Sequence, residues 1–575
     1  VASRSKAQMP WLIASIVIVL AMMLPLIGIL TGILTPVNDT WRHIQHYLLA
    51  DYIRQTAILL VGSLSAGIII ASLLAWFVTA YEFPGRKFLS FALVLPLAIP
   101  PYIAGYTYVS MTGYTGPLQV FLRDHLGITL PPGFLDLQNM GGAIAIFTLF
   151  LYPYIYLVVR AFLDRQAGQL LEAARVLGAS KTTAYLQVIA PLTRNAVVAG
   201  ATLMAFEVLS DYGVVSYFGL QVFTTAIFKA WLGLTDMAAA LKLAAILLVV
   251  VTLVSVGEKA LRGGASYAYA SPRVTPLRRS RPHGVGKILI PGFCWLIFAV
   301  SLIIPVAQML WWAVLSLDNI RLTGIWTAVA NSVIVAGCGA LVATICAMIV
   351  AQHQRLWPSR LARLLARITV MGYSVPSTVI ALSIVSLLVW ISTTFGAPLT
   401  LTPAVIVLAY VIRYLAVSMQ SIESGCERIG IRYHEAARTS GDTPAQALWR
   451  VDLPMMRSAT IGAFLLAFID MVKELPIVLI VRPFNFATLS TTVFQYANDE
   501  QIPESALPSL MIIALACIPV ALLVARETTT GDQQPPTANT GSPLSSTSAD
   551  AVPSGSSNAL PPFAQHHGSP PTHSS

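Results

Sequence analysis

The chain is 575 residues long, 56% hydrophobic and only 10% charged, with a mean hydropathy of +0.73, against roughly 45–50% apolar and about 25% charged residues in soluble domains. So few charges cannot coat a water-soluble fold of this size. A soluble enzyme is excluded, and most apolar side chains must face lipid or other membrane helices. The 35 Lys and Arg exceed the 25 Asp and Glu, a net charge of +10, whose meaning depends on where it lies along the chain.

A helix crosses a hydrocarbon core of about 30 Å with about 20 residues. Twelve such stretches are predicted, near 11–34, 57–80, 88–110, 141–163, 196–217, 237–257, 288–315, 327–350, 368–391, 402–421, 458–481 and 505–525. Arg4 and Lys6 precede the first as in a secretory signal. Its apolar run exceeds the roughly 7–15 residues of a signal core and lacks a small-x-small cleavage site, so a retained anchor is expected. Lys and Arg accumulate on the cytoplasmic side of membranes. With the N-terminus inside, 26 of the 35 fall in cytoplasmic segments and six in the opposite loops, leaving Lys242, Arg413 and Lys473 within spans. The positive charge is therefore a topology signal, both termini are expected in the cytoplasm, and no nucleic-acid partner is expected. Cys294, Cys338, Cys346, Cys426 and Cys517 show no CxxC spacing and read as small apolar residues, so no metal site is expected. The segment 527–575 is dominated by Ser, Pro, Thr, Gly and Ala and is expected to form a disordered cytoplasmic tail.

An internal repeat organises the rest. EAARVLGASKTTAYLQVIAPLTR starts at Glu172 and EAARTSGDTPAQALWRVDLPMMR starts at Glu435. Glu172 and Glu435, Gly178 and Gly441, and Pro191 and Pro454 each stand 263 residues apart, and the offset continues to Glu207 and Asp470 and to Asp211 and Glu474. Nearer the start of each half the offset is 276, pairing Gln55-Thr56 with Asn331-Ser332 and Pro100 with Pro376; the longer first-half segment at 111–140 accounts for the change. Six spans is an even number, so the copies share one orientation and form parallel repeats. The expected organisation is 1–262, 263–526 and the tail 527–575. Within each repeated segment, EAAR opens a short helix whose positive end favours the Glu. Gly178 or Gly441 allows a backbone turn that a Cβ resists, and Pro191 or Pro454 stops a second short helix and directs the chain back into the membrane. The result is a cytoplasmic helix-turn-helix finger in each half.

These paired segments resemble the EAA loops of permease subunits in binding-protein-dependent ABC importers of the type I fold, over nearly all of residues 11–525. One loop per chain is usual in that family, so this chain resembles a fused pair, an all-α polytopic membrane protein with two parallel six-helix repeats. MVKELPIVLIVRPFNFATLSTTVFQYANDE (471–500), SDYGVVSYFG (210–219) and YEFPGRK (81–87) resemble the ferric-iron branch; thiamine and phosphonate importers include similar fused permeases. The resemblance implies that Glu172, Ala173, Ala174, Gly178, Pro191, Glu435, Ala436, Ala437, Gly441 and Pro454 couple the chain to a homodimer of ATPase subunits, with an extracytoplasmic solute-binding protein delivering substrate to a bacterial inner-membrane subunit. In agreement, the sequence has no GxxxxGK[ST] phosphate loop; GVGKI at 284–288 lacks the leading Gly and the hydroxyl residue. No cofactor is expected in this chain, because ATP and Mg belong to the partner.

The membrane path should carry the few costly polar groups. At about 1.5 Å per residue, Glu207 lies roughly 17 Å and Asp211 roughly 23 Å beyond the cytoplasmic start of span 5. Glu207/Asp211 and Asp470/Glu474 are each spaced i,i+4 and share a helix face. Either the four acids line the outer part of a path for a cationic substrate, or they pair with Lys473 and Arg413 and hold helices in register; both hold if different members do different things. Pro100-Pro101 and Pro376 interrupt spans 3 and 9, either lining a cavity or fixing packing kinks. Thr224-Thr225 and Ser490-Thr491-Thr492 are read either as contacts for the external binding protein or as helix caps. A gradient-driven transporter shares the twelve-span count but has no need of paired docking loops, and no nucleophile-base constellation suggests an enzyme.

Overall fold

The computed structural model describes residues 2–131, 133–176, 178, 183, 187, 190–262, 279–319, 322–396 and 401–531; for 2–7, 165–176, 190, 319 and 519–531 it describes the backbone alone. Residues Val1–Ala525 form one compact unit and Arg526–Ser575 a second. A backbone in hydrocarbon has no water to bond, so apolar runs satisfy their own N–H and C=O groups as helices. Among the described residues nine helices are long and apolar enough to cross a membrane, or eleven if two bent pairs each count as one span, and a shorter apolar helix covers Ile502–Ile518. Each of the twelve predicted stretches has a counterpart among these.

The differences lie at breaks that a hydropathy average does not register. The third stretch is a pair, Arg86–Ala98 and Pro101–Leu126, bent by 91°. The eleventh is approached through Pro444–Met455, which meets Arg457–Val472 at 78°. The fifth and eleventh stretches end early: their helices stop at Ser210 and Val472, and short helices Gly213–Tyr217 and Pro476–Val481 follow. The ninth begins at Ser377, and the residues before Pro376 form a separate amphipathic helix, Arg360–Met371, with Ala362, Leu365, Ala366 and Thr369 buried.

The repeat is visible in the packing. Leu49–Ala80, Met140–Val176 and Ala190–Ser210 pack together in the first half, as Leu322–Leu356, Pro403–Ile429 and Arg457–Val472 do in the second. The halves exchange their leading helices. The first helix packs on Ser377–Phe395 and Leu322–Leu356 of the second repeat, while Gly286–Phe298 and Ile304–Ser316 pack against Leu49–Ala80, Arg86–Ala92 and Pro101–Thr112 of the first. Apolar side chains gain little from leaving lipid, so small residues that allow close backbone approach carry such contacts. At Gly28 a Cβ would lie 2.5 Å from the Ser383 carbonyl oxygen. Tyr108 ties the other exchanged helix by donating its hydroxyl to the Val300 carbonyl.

A charged cavity between the repeats and two coupling loops

The proline breaks set up the site. A helix interrupted before Pro100 or Pro376 leaves carbonyls with no helical N–H, and the second repeat supplies a cation to each break. Arg413 donates to the carbonyls of Tyr373 and Val375, the latter at 2.6 Å. Lys473 Nζ lies 3.4 Å from the Leu97 carbonyl oxygen, and Leu97 is the residue 276 before Tyr373. The two breaks thus face one cavity of about 70 Å³, walled on one side by Pro100, Pro101, Tyr102, Tyr154, Glu207 and Asp211, and on the other by Ser377, Tyr414, Asp470, Lys473 and Glu474. Pro100 and Pro101 line this cavity, whereas at the second break Ser377 does so and Pro376 does not.

All four acids reach this cavity, and they divide in two. Glu207 and Asp470 have cationic neighbours: Arg413 Nη2 lies 3.8 Å from Glu207 Oε1, and Lys473 Nζ 2.9 Å from Asp470 Oδ1. Glu207 also accepts the Tyr373 hydroxyl at 2.8 Å. Asp211 and Glu474 have none at salt-bridge distance among the described residues. They sit just past their helices and serve as caps for the next short ones, Asp211 accepting from Val214 N–H at 2.8 Å and Glu474 from Ile477 N–H at 3.3 Å, with the Tyr414 hydroxyl also donated to Glu474. The ion-pair expectation thus holds for Glu207 and Asp470, while Asp211 and Glu474 line the cavity without such a pair among the described residues. Four carboxylates face two cations, a surplus of two negative charges when all are ionised. Sequence reasoning missed the wall tyrosines Tyr102, Tyr154 and Tyr414, and Tyr106 packed behind Tyr102. Tyr102 and Tyr106, at i,i+4 spacing, keep buried hydroxyls without a hydrogen-bond partner among the described residues, and their spacing on one helix face was the available signal. Among those residues no group of three or more His, Cys, Asp and Glu side chains is placed to hold a metal ion.

The hydroxyl stretches cap helices from inside the fold. Thr488 Oγ1 accepts from Thr491 N–H, Val222 N–H donates to Thr225 Oγ1, and Ser490 donates to the Glu474 carbonyl at 2.8 Å. Thr224, Thr225, Ser490 and Thr491 are buried, which removes them as a surface for an external protein.

The second repeat's loop is described throughout. Arg432–Thr439 carries Glu435 in its first turn, as expected, with Glu435 and Ala436 exposed and Ala437 buried. Gly441 turns the chain at φ 99°, a left-handed conformation that favours glycine. Thr443 and Gln446 then form a capping box at the start of Pro444–Ala447. Pro454 is exposed, and the 78° bend follows it. Tyr433 and Trp449 on this loop stand 55% and 69% exposed, aromatic residues the sequence reading did not single out.

The first loop lies largely outside the described residues, including the side chains of Glu172, Ala173 and Ala174; Gly178 has φ 86° like its counterpart, and Pro191 is exposed. One expectation is corrected. Glu172 does not open a short helix, because Met140–Val176 is continuous through it. In the second half Gly430, at φ 69° and ψ −179°, ends Pro403–Ile429 before the loop helix begins; the residue 263 earlier is Ala167, which gives no such stop. The helix-dipole argument therefore applies to Glu435 and not to Glu172.

A family model described as "Binding-protein-dependent transport system inner membrane component" matches residues 67–261 and, a second time, 339–526. The chain is 28% identical over 479 residues to the Fe(3+)-transport system permease protein FbpB 2 of Haemophilus influenzae, covering 83% of this chain and 90% of that protein. It is 29% identical over 162 residues to the sulfate transport system permease protein CysW of Escherichia coli K12, and 29% identical over 139 residues to the molybdenum transport system permease protein ModB of the same strain. These two matches cover 28% and 24% of this chain, and 53% and 58% of the respective proteins.

Proposed function

The chain belongs to the family of binding-protein-dependent transport system inner membrane components, as a double permease that carries the family unit twice, and from that premise we propose that it moves a cation, ferric iron, across the membrane. The surplus of negative charge in the cavity between the repeats is the observation that carries this reading. Sulfate and molybdate are oxyanions, and Asp211 and Glu474, which line the cavity with no cation at salt-bridge distance among the described residues, repel an anion when ionised. A phosphonate cargo is disfavoured for the same reason. Thiamine is a cation too and is the second reading. A conducting site must admit its ion without trapping it. Arg413 and Lys473 offset half of the carboxylate charge, and the two capping acids spend lone pairs on backbone N–H groups, which keeps the site from becoming a sink.

In this reading an extracytoplasmic binding protein delivers the ion, and a homodimer of separate ATPase subunits engages the two EAA loops from the cytoplasm, where both termini lie. ATP-driven closure of the ATPases draws the loops together and opens the cavity outward; hydrolysis returns it toward the cytoplasm. The exposure of Tyr433, Glu435, Ala436 and Trp449 on this loop supports such docking. Uptake into proteoliposomes holding the chain and its ATPase, with radiolabelled ferric iron, thiamine and sulfate offered on their binding proteins, tests the proposal. ATP-dependent accumulation of iron alone is expected, and accumulation of sulfate instead overturns it.

A further inference from the structure

The second loop is fastened to the membrane helices by a buried ionic cluster outside the cavity. Asp452, at the foot of the loop, is fully buried. Its Oδ1 lies 3.2 Å from Arg355 Nη1, and its Oδ2 lies 2.6 Å from Nδ1 of His434 on the loop helix. Arg355 closes the last turn of Leu322–Leu356 and also donates to the Gly430 carbonyl where Pro403–Ile429 ends. Buried Gln352 adds an acceptor for Arg355 at 3.3 Å and reaches Met456 Sδ at 3.8 Å. One carboxylate thus joins the helix that begins the loop, the segment that ends it and, through Arg355, two membrane helices. A charge group this enclosed holds its geometry tightly, since losing one member leaves the others buried and unpaired. The first repeat lacks the chemistry: the residues offset by 263 from Asp452 and His434 are Ile189 and Leu171, and the residue offset by 276 from Arg355 is Thr79.

We propose that Arg355, Asp452 and His434 are positioning residues that make the second EAA loop a rigid lever on helices Leu322–Leu356 and Pro403–Ile429, so that the two loops of this chain transmit ATPase motion unequally. The inference rests on the coupling role of the loops given above. Neither Arg355 nor His434 touches the cavity; they act through the orientation of Arg432–Thr439.

The test uses the full-length chain in lipid nanodiscs. Asp452→Asn, Arg355→Met and the double variant are compared by hydrogen exchange of 432–455 in the chain alone, and by the ratio of binding-protein-stimulated to unstimulated ATP hydrolysis with the ATPase present. Each single variant is expected to raise exchange in 432–455 roughly tenfold, to leave exchange across 457–472 at the parent value, and to lower the stimulation ratio by a similar factor. The double variant matches the singles because the cluster acts as a unit. Asp452→Glu, which keeps the charge, restores most of the ratio. Unchanged exchange in 432–455 overturns the inference, and so does raised exchange with an undiminished ratio. Failure of the coupling reading itself is seen separately, in a parent chain that retains no ATPase.

Discussion

Replacing Arg413 by methionine removes the fork that spans the second proline break while keeping an unbranched apolar stem in its place. Arg413 is 1% exposed. It serves the carbonyls of Tyr373 and Val375, the Ser210 hydroxyl at 3.1 Å and the Glu207 carboxylate at 3.8 Å. Each buried acceptor left bare costs about 1–3 kcal/mol, and stripping a buried ion pair of one partner costs about 3–5 kcal/mol. Glu207 is 29% exposed and keeps the Tyr373 hydroxyl, so its share belongs at the low end. Losses that share one side chain do not add. The expected destabilisation is about 3–5 kcal/mol. Arg413→Lys, whose single ammonium cannot reach both sides of the fork, is expected to cost about 1–3 kcal/mol, and adding Glu207→Gln to Arg413→Met should recover part of the loss by removing the stranded charge. Reversible unfolding in mixed micelles, titrated with a denaturing detergent, reads all three. A stability for Arg413→Met within about 0.5 kcal/mol of the parent would refute the assignment of Arg413 as the group that satisfies the broken span.

Gly178→Trp together with Gly441→Trp places bulk on two loops where a Cβ meets nothing within 4 Å; the chain is expected in the membrane at the parent level, with ATP hydrolysis no longer stimulated by loaded binding protein, and undiminished stimulation contradicts the docking role. Asp236 caps Met237–Arg262, accepting from Ala239 N–H at 2.9 Å and Asn38 Nδ2 at 2.5 Å, and Asp236→Ala should cost about 1 kcal/mol in the same unfolding assay. Burial alone raises the Asp236 pKa, but the hydrogen bonds outweigh it and the net shift is downward. Its stabilisation is therefore complete above the ordinary aspartate value of about 4 and is lost as pH falls through the lower folded value; a parent-minus-variant difference that instead grows on acidification contradicts the sign.

How far the sequence carried the fold depends on the kind of signal. Apolar runs such as 237–257 and 402–421 announce themselves, because lipid imposes length and hydropathy together, and the offset of 263 residues alone pairs Gly441 with Gly178. The breaks after Ser210 and Val472 were harder. SDYG and ELP carry cap signals, an acid three residues before a free N–H and a proline at the first helical position, but the apolar residues around them mask the interruption. Glu172 misled because the two EAA strings are alike while the residues before them, Ala167 and Gly430, are not. Asp452 was invisible as a buried charge: DLP beside Arg450 and Arg457 reads as solvated cytoplasmic loop, and only the fold brings Arg355 from nearly a hundred residues away. The cavity acids were legible as costly groups in spans, but which of them have cations depends on side-chain reach across the repeat interface.

The central claim, that this permease moves a cation through a cavity whose negative charge belongs to Asp211 and Glu474, meets its most direct test in iron uptake by Asp211→Asn combined with Glu474→Gln. Both changes keep an oxygen for the caps on Val214 and Ile477 and remove the charge surplus. The account predicts ATP-dependent uptake of ferric iron reduced roughly tenfold or more at the parent level of protein in the membrane. Uptake equal to the parent's would contradict it.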